Sequence, residues 1–495
     1  MECGKKQTIE LINNAEHEFR DCWQTLVDLL HGAPSSNTVE KIVRFQPKLG
    51  GALIKLEEGY RQIHAEKRSL VSRKSILSPG WFRRRMASLS TYQNAIESTI
   101  AVGKSVGDAF AWPFYSRERE YLLKHLDRPS SLHVPAGIGG MGELAVVGMV
   151  SPFENHFLLH HGITNFLTLG DVSVFDLTNM SLTAVGEIKT RQVSAEQFVS
   201  SLTMIGPKRD AAPRPIQFPR KGEVPKVDLP PQAQDRLRRQ LHAMSQSFDP
   251  SMVPQLPGKA HCETETCFEV LGVLAGELRR SRIACRQAGK HLALLAYRDG
   301  RKSLGSRLLR ESRTDIKQKM VGVPNVVLGI FDKASEDNAL FVDGVHWTLN
   351  LRARVIRGVP PFPCWPVDME LRRQVIFHET ALMSMFNPAG LTHLLRGAGY
   401  SVEMRQQKLA VSRDIGGKKA HIDSFGYFIT LLKLGLLTEE AVLEVVEETI
   451  AAIKKADVRP YTKVSMNIQL DLGGGGSRGA VATGPPSPVL MEDKK

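Results

Sequence analysis

The chain has 495 residues, 42% hydrophobic and 24% charged, with 65 Lys and Arg against 52 Asp and Glu and a net charge of +13. That length exceeds one ordinary domain, and the composition excludes a fibrous, collagen-like or mainly disordered chain. The positive surplus suits a polyanionic partner without identifying one.

Cys3, Cys22, Cys262, Cys267, Cys285 and Cys364 are too scattered to suggest a disulfide framework. No run approaches the about 20 apolar residues of a membrane span, and Met1 is not followed by a signal-peptide core. The expectation is a cytoplasmic protein without a membrane partner.

Residues 1–110 read as a helical region. Ile9, Ile12, Phe19, Trp23, Leu26 and Leu30 recur at helical spacing, followed by a loop over 32–37 and helices over 53–70 and 89–106. Between those helices lies a basic stretch: Lys67, Arg68, Arg73, Lys74 and Arg83, Arg84 and Arg85 behind Trp81 and Phe82. Residues 111–375 read as one α/β core. It has a helix over 114–126, a glycine cluster from Gly137 to Gly142, and strands over 144–150 and 156–160. A Pro/Lys/Arg-rich insertion at 206–258 carries one helix over 232–247. Helical periodicity over 263–288 runs into an apolar strand over 292–297, the pattern of a parallel crossover onto the same sheet. Strand-like segments follow at 326–331 and 347–351. Residues 376–472 read as a mostly helical region, amphipathic over 434–456, and 473–495 as a disordered Gly/Ser/Pro-rich tail. No internal repeat is visible.

The densest chemical signal lies at 168–189, where two short apolar strands flank a polar turn around Thr178 and Asn179. Glu187 and Lys189, two apart on a strand, share a face. Asp171 and Glu187 are equidistant from Asn179, so a hairpin centred there sets them opposite each other, Cβ atoms about 4.5–5.5 Å apart. That spacing suits two carboxylates holding one hard cation through oxygens at about 2.0–2.1 Å. Asp176 differs from Asp171 by an odd number and belongs at the turn.

This Asp…Glu-x-Lys hairpin resembles the PD-(D/E)XK nuclease superfamily, which includes the restriction endonucleases. Gly170 stands where the family motif has proline. The resemblance covers residues 111–300, and its sharp part runs from Asp171 to Lys189. It implies an α/β fold, a restriction-endonuclease-like mixed sheet core flanked by helical N- and C-terminal regions. It also implies a Mg²⁺- or Mn²⁺-dependent nuclease acting on DNA or RNA, with the metal held by Asp171 and Glu187 and assisted by Lys189. Members of that family often add an acidic residue from the helix before the first strand. Glu118, beside Phe114, Tyr115, Tyr121 and Leu122, is the candidate, ahead of Glu120; Gln192 can reach the same site. A helix is expected over 194–202.

Arg83, Arg84 and Arg85 can track a phosphate backbone while Trp81 or Phe82 stacks on a base. Arg279 and Arg282 form a second basic cluster. Other motifs carry less. Gly137–Gly142 matches G-x-G-x-x-G, but the expected strand after it would remove the helix that binds pyrophosphate, leaving a turn. His378-Glu379 has Leu382 where a zincin has its second histidine, and His261, Cys262 and Cys267 lack zinc-finger spacing. His160 and His161 receive no role. The alternative to an enzyme is a non-catalytic module on the same scaffold binding nucleic acid or a partner protein; a homo-oligomer is equally compatible.

Overall fold

The structure is a computed structural model. It describes residues 4–31, 38–115, 118–126, 132–135, 137–150, 156–176, 181–192, 198–206, 268–289, 291–309, 343–346, 361–365, 367–405, 408–415, 418–422, 425–455 and 489–493. The chain divides into two compact units, Met1–Val253 with Arg301–Glu311, and Pro254–Gly300 with Ser312–Lys495. The expected loop at 32–37, the insertion and its helix, the strands at 326–331 and 347–351, and the ligands His261, Cys262 and Cys267 lie outside the described residues.

In the first unit, α1 (Lys5–His31), α2 (Thr38–Ser72) and α3 (Pro79–Tyr115) pack on one another. The periodic positions are the buried ones: Ile12, Phe19, Trp23 and Leu26 on α1, Leu49, Leu53, Leu56 and Ile63 on α2. Between Ala95 and Asp108, α3 is buried on nearly every side, which requires neighbours all round. Within α3, Gly107 permits the closest approach: a Cβ there would lie 1.9 Å from the Ile163 carbonyl oxygen. A short helix, α4 (Arg119–Leu126), follows α3.

Next comes α5 (Ile138–Val150), where the sequence suggests a turn and a strand. Its glycines explain the misreading. They lower helix propensity, yet Gly142 is what lets the helix lie against the sheet, since a Cβ there would meet the Thr190 side chain at 2.0 Å. Strands β1 (His156–His160), β2 (Val172–Asp176), β3 (Ser181–Gln192) and β4 (Phe198–Ile205) form a sheet in that order, antiparallel throughout. Where the expected helix over 194–202 falls on described residues, from Phe198 on, it is strand, and this sheet is not mixed. Val147 of α5 packs with Val172 and Ile188, while on α3 Phe114 stacks on Phe157 and Phe110 meets it edge-on. Sandwiched between helices, β2 buries Val172 to Phe175 completely.

The second unit begins with α6 (Phe268–Leu278), leading to β5 (Ile283–Gln287) and β6 (Leu292–Arg298). With β7 (Asp343–His346) and β8 (Thr380–Phe386) these form a separate antiparallel sheet, ordered β5-β6-β8-β7. The expected parallel crossover onto the sheet of Asp171 is thus absent. The helix stops ahead of Arg279, and β5 turns back on β6. In the first unit, α7 (Leu304–Leu308) docks on α1, its Leu304 N–H donating to Glu16 Oε2 at 2.6 Å.

Residues 376–472 are less helical than their periodicity suggests. Alongside α8 (Met369–Ile376), α9 (Ala389–Gly397), α10 (Phe425–Lys433) and α11 (Glu439–Lys455) run β9 (Ser401–Arg405), β10 (Lys408–Ile415) and β11 (Lys418–Ile422). A tail segment, β12 (Val489–Asp493), pairs with β11, so part of the expected disordered tail is strand. No helix among the described residues is long and apolar enough to cross a membrane.

Gly107→Ala should destabilise the first unit by about 1–3 kcal/mol through forced overpacking. Gly51→Ala, mid-helix with nothing within 4 Å, should stabilise it by about 1 kcal/mol. Chemical denaturation followed by tryptophan fluorescence distinguishes these opposite signs.

Candidate active site

The β2–β3 ladder brings Asp171 and Glu187 to the same end of the hairpin, with Asp171 just outside the paired strand. The ladder ends at Val172↔Gly186, and just beyond it Asp171 N–H donates to Gly186 O at 2.8 Å, which holds Asp171 beside the Gly186–Ile188 backbone. The pairs nearer the turn, Phe175↔Leu182 and Asp176↔Ser181, are out of step by one residue, and an irregularity at Thr183 restores the alignment. Asp176 stays at the turn end of the hairpin, as expected. The Asp171 side chain reaches across, its Oδ2 accepting from Ile188 N–H at 2.7 Å. Glu187 is buried, and the Lys189 ammonium donates to its Oε1. Its Oε2 is fully buried with no hydrogen-bond partner.

A third carboxylate comes from α5, not from Glu118, which stands just ahead of α4. Glu143 is buried, its Oε2 3.0 Å from His160 Nε2. His160 is anchored in turn: its N–H donates to Gln46 Oε1 of α2 at 2.7 Å, and Gln46 Nε2 donates to Leu158 O at 2.7 Å. Glu143 lies close enough to act electrostatically on Asp171. Burial first, then the negative charges of Glu143 and Glu187, push the Asp171 carboxyl up from 3.8 to about 8, against the opposing pull of Lys189. Among the described residues, no three His, Cys, Asp or Glu side chains stand as a ready-made set of metal ligands. What exists instead is concentrated negative charge, with Lys189 the cation bonded to it.

The loop leading into Asp171 is held by a buried hydrogen-bond relay. Thr168 and Leu169 N–H groups both donate to His125 Nδ1, at 3.0 and 3.1 Å, so the proton of this histidine sits on Nε2. From there it points to Tyr115 Oη at 3.0 Å. The tyrosine hydroxyl donates to Ser173 Oγ at 2.6 Å, Ser173 to His161 Nε2 at 2.6 Å, and His161 Nδ1 to Gly170 O at 3.1 Å. The chain therefore starts and ends on residues 168–170, clamping the backbone corner where Gly170 adopts φ +68°. Burial depresses His161 to about 3 and keeps it neutral. A second anchor lies alongside: Asp108 accepts from Asn165 N–H at 2.6 Å and from Asn165 Nδ2 at 2.7 Å.

Other expected residues fall elsewhere. Glu118 accepts from Leu182 N–H at 2.8 Å, five residues along β3 from Glu187 and so about 16 Å away. Gln192 is exposed at the end of β3. Arg83 and Arg84 are exposed, whereas Arg85 is held by Glu66, its Nε 2.8 Å from Oε1. Arg279 and Arg282 are exposed between α6 and β5, in the second unit. Glu379 is taken up by Arg373 at 2.7 and 2.8 Å, in keeping with the missing zincin ligand. Of the residues that sequence reasoning left unused, Glu143 was hidden by the strand-like reading of 144–150. His160, His161, Tyr115, His125 and Ser173 had no motif to reveal them. Compared with known protein families, curated proteins and solved structures, the chain matches none.

Two outcomes test this geometry. Between pH 4 and 8 the folded protein retains the Asp171 proton that the unfolded chain has lost, so stability falls as pH rises across that window. Asp171→Asn keeps the acceptor for Ile188 without that penalty. In metal-free buffer its melting temperature should exceed that of the parent by a margin that grows from pH 4 to pH 8, and a margin independent of pH would refute the crowding. Tyr115→Phe severs the relay and should cost about 1–3 kcal/mol in chemical denaturation; an unchanged midpoint would mean the relay does not hold the loop.

Proposed function

We propose that the first unit is a metal-dependent nuclease that hydrolyses phosphodiester bonds of DNA or RNA, built on a restriction-endonuclease-like core. The observation that carries this reading is the buried, unpartnered Oε2 of Glu187 beside an Asp171 crowded by two further carboxylates. Acidic groups in that state fit a hard divalent cation, Mg²⁺ or Mn²⁺, better than they fit a packed core. Asp171 and Glu187 would hold it, with Glu143 in the position first sought at Glu118: an acid on the helix preceding the first strand. A bound ion of this kind polarises a phosphoryl oxygen and lowers the pKa of a water.

The chain's own groups supply the rest. Lys189, 23% exposed, presents its ammonium next to Glu187, where it orients the attacking water or offsets charge on the pentavalent phosphorus. Gly170 and the relay fix the approach of the Asp171 backbone. His160, bonded to Glu143 through Nε2, orients that carboxylate.

Calorimetric titration of purified protein with Mn²⁺ should detect a site that is lost in Glu187→Gln and in Asp171→Asn and weakened in Glu143→Gln, but kept in Glu118→Gln. Cleavage of DNA or RNA should fall at least about a hundredfold in Glu187→Gln and Lys189→Ala. A Mn²⁺ site insensitive to Glu187, or full cleavage by Glu187→Gln, would sink the proposal. Nucleic-acid binding without any Mn²⁺ site would favour the non-catalytic module.

A further inference from the structure

The α2–α3 connection is a preformed tip. A single 3₁₀ turn, Lys74–Ile76, joins the helices, and the base of the tip is closed by the Arg85–Glu66 ion pair. Lys67 Nζ adds bonds across it to Ser90 Oγ at 3.1 Å and Gln93 Oε1 at 2.9 Å. Lys74 sits 5.9 Å from the Phe82 ring, bracing the turn against the first turn of α3. Phe82 is thereby engaged, and Trp81, 39% exposed, is the aromatic presented to solvent.

Three properties coincide there. No acidic residue occurs from Lys67 to Ile96, while Arg68, Arg73, Lys74, Arg83 and Arg84 are all exposed. Ser69, Ser72, Ser75 and Ser78 are exposed between those cations. Of the seven large hydrophobic side chains exposed among the described residues, three lie here, with Ile76 at the turn, 78% exposed, and Val71 and Trp81 at 55% and 39%. An amphipathic membrane anchor would carry a continuous apolar face. This tip instead intersperses hydroxyls and cations with single apolar residues, the combination that binds phosphates and wedges into a stack of bases.

We propose that the α2–α3 tip grips duplex nucleic acid, with the five exposed cations on the phosphates and Ile76 pressed into a base step. The inference shares with the nuclease reading only its partner class. Along α3 the tip stands about 40 Å from Asp108, which anchors the loop before Asp171, so grip and chemistry occupy opposite ends of one long helix.

The test uses the full chain in EDTA, so that binding is read without any metal site. The probe is a DNA duplex carrying 2-aminopurine, titrated at several salt concentrations. The parent should bind with a salt slope that falls by about two in an Arg83→Gln/Arg84→Gln double variant, with affinity reduced on the order of tenfold near 100 mM salt. Ile76→Ser should keep the salt slope but lose the 2-aminopurine fluorescence increase that reports unstacking. The proposal falls if the double variant binds as tightly as the parent, or if Ile76→Ser unstacks the duplex unchanged. It falls equally if phosphatidylglycerol vesicles are bound while the duplex is not. The Mn²⁺ titration above, performed on the same variants, should be unaffected, so failure of the grip and failure of the metal site are separate results.

Discussion

The antiparallel register between β2 and β3 is the constraint on which the site depends. Both strands are buried between α3 and α5, so a one-residue slip would turn Val172, Val174 and Ile188 away from α5 onto the face that packs on α3 and break the fitted contacts on both sides. Core packing thus sets the register, and the register brings Asp171 beside the Gly186–Ile188 backbone that carries Glu187. Acidic groups in such a place are costly, since burial and mutual repulsion disfavour their charges. Hydrophobic burial is large enough to impose the arrangement, and the local polar groups only adjust to it.

Much of this hairpin was legible because strand alternation and turn symmetry are local properties. Turn symmetry predicts the neighbourhood of Asp171 and Glu187 but not the register in detail: near the turn the strands are offset by one residue, the irregularity at Thr183 compensates, and the ladder stops at Val172↔Gly186. Helices 1–110 were legible in kind but too short in extent. Apolar periodicity fades wherever a helix is surrounded, as α3 is from Ala95 to Asp108, because every face is then buried.

The departures from expectation have different physical origins. Residues 138–150 are rich in Gly, Val and Met, and intrinsic preference argues against a helix. Packing against the sheet overrides it, using Gly142 as the gap into which Thr190 fits. With α5 mistaken for strand, the acidic residue was sought on the preceding helix, at Glu118. Residues 198–202 and 283–287 read as helix but are strand, because strands this short are hard to separate from helix by period alone. The relay through His125, Tyr115, Ser173 and His161 has no sequence signature, since its members come from four separate places in the chain.

Gln46 has a consequence outside chemistry. β1 lies at the border of its sheet, paired on one side with β2, and an uncovered border strand is a template on which another chain can add itself. By accepting from the His160 amide and donating to the Leu158 carbonyl, the glutamine carboxamide imitates the peptide group of a missing neighbour. A helix side chain has thereby capped the sheet, and those two backbone groups are closed to intermolecular zipping.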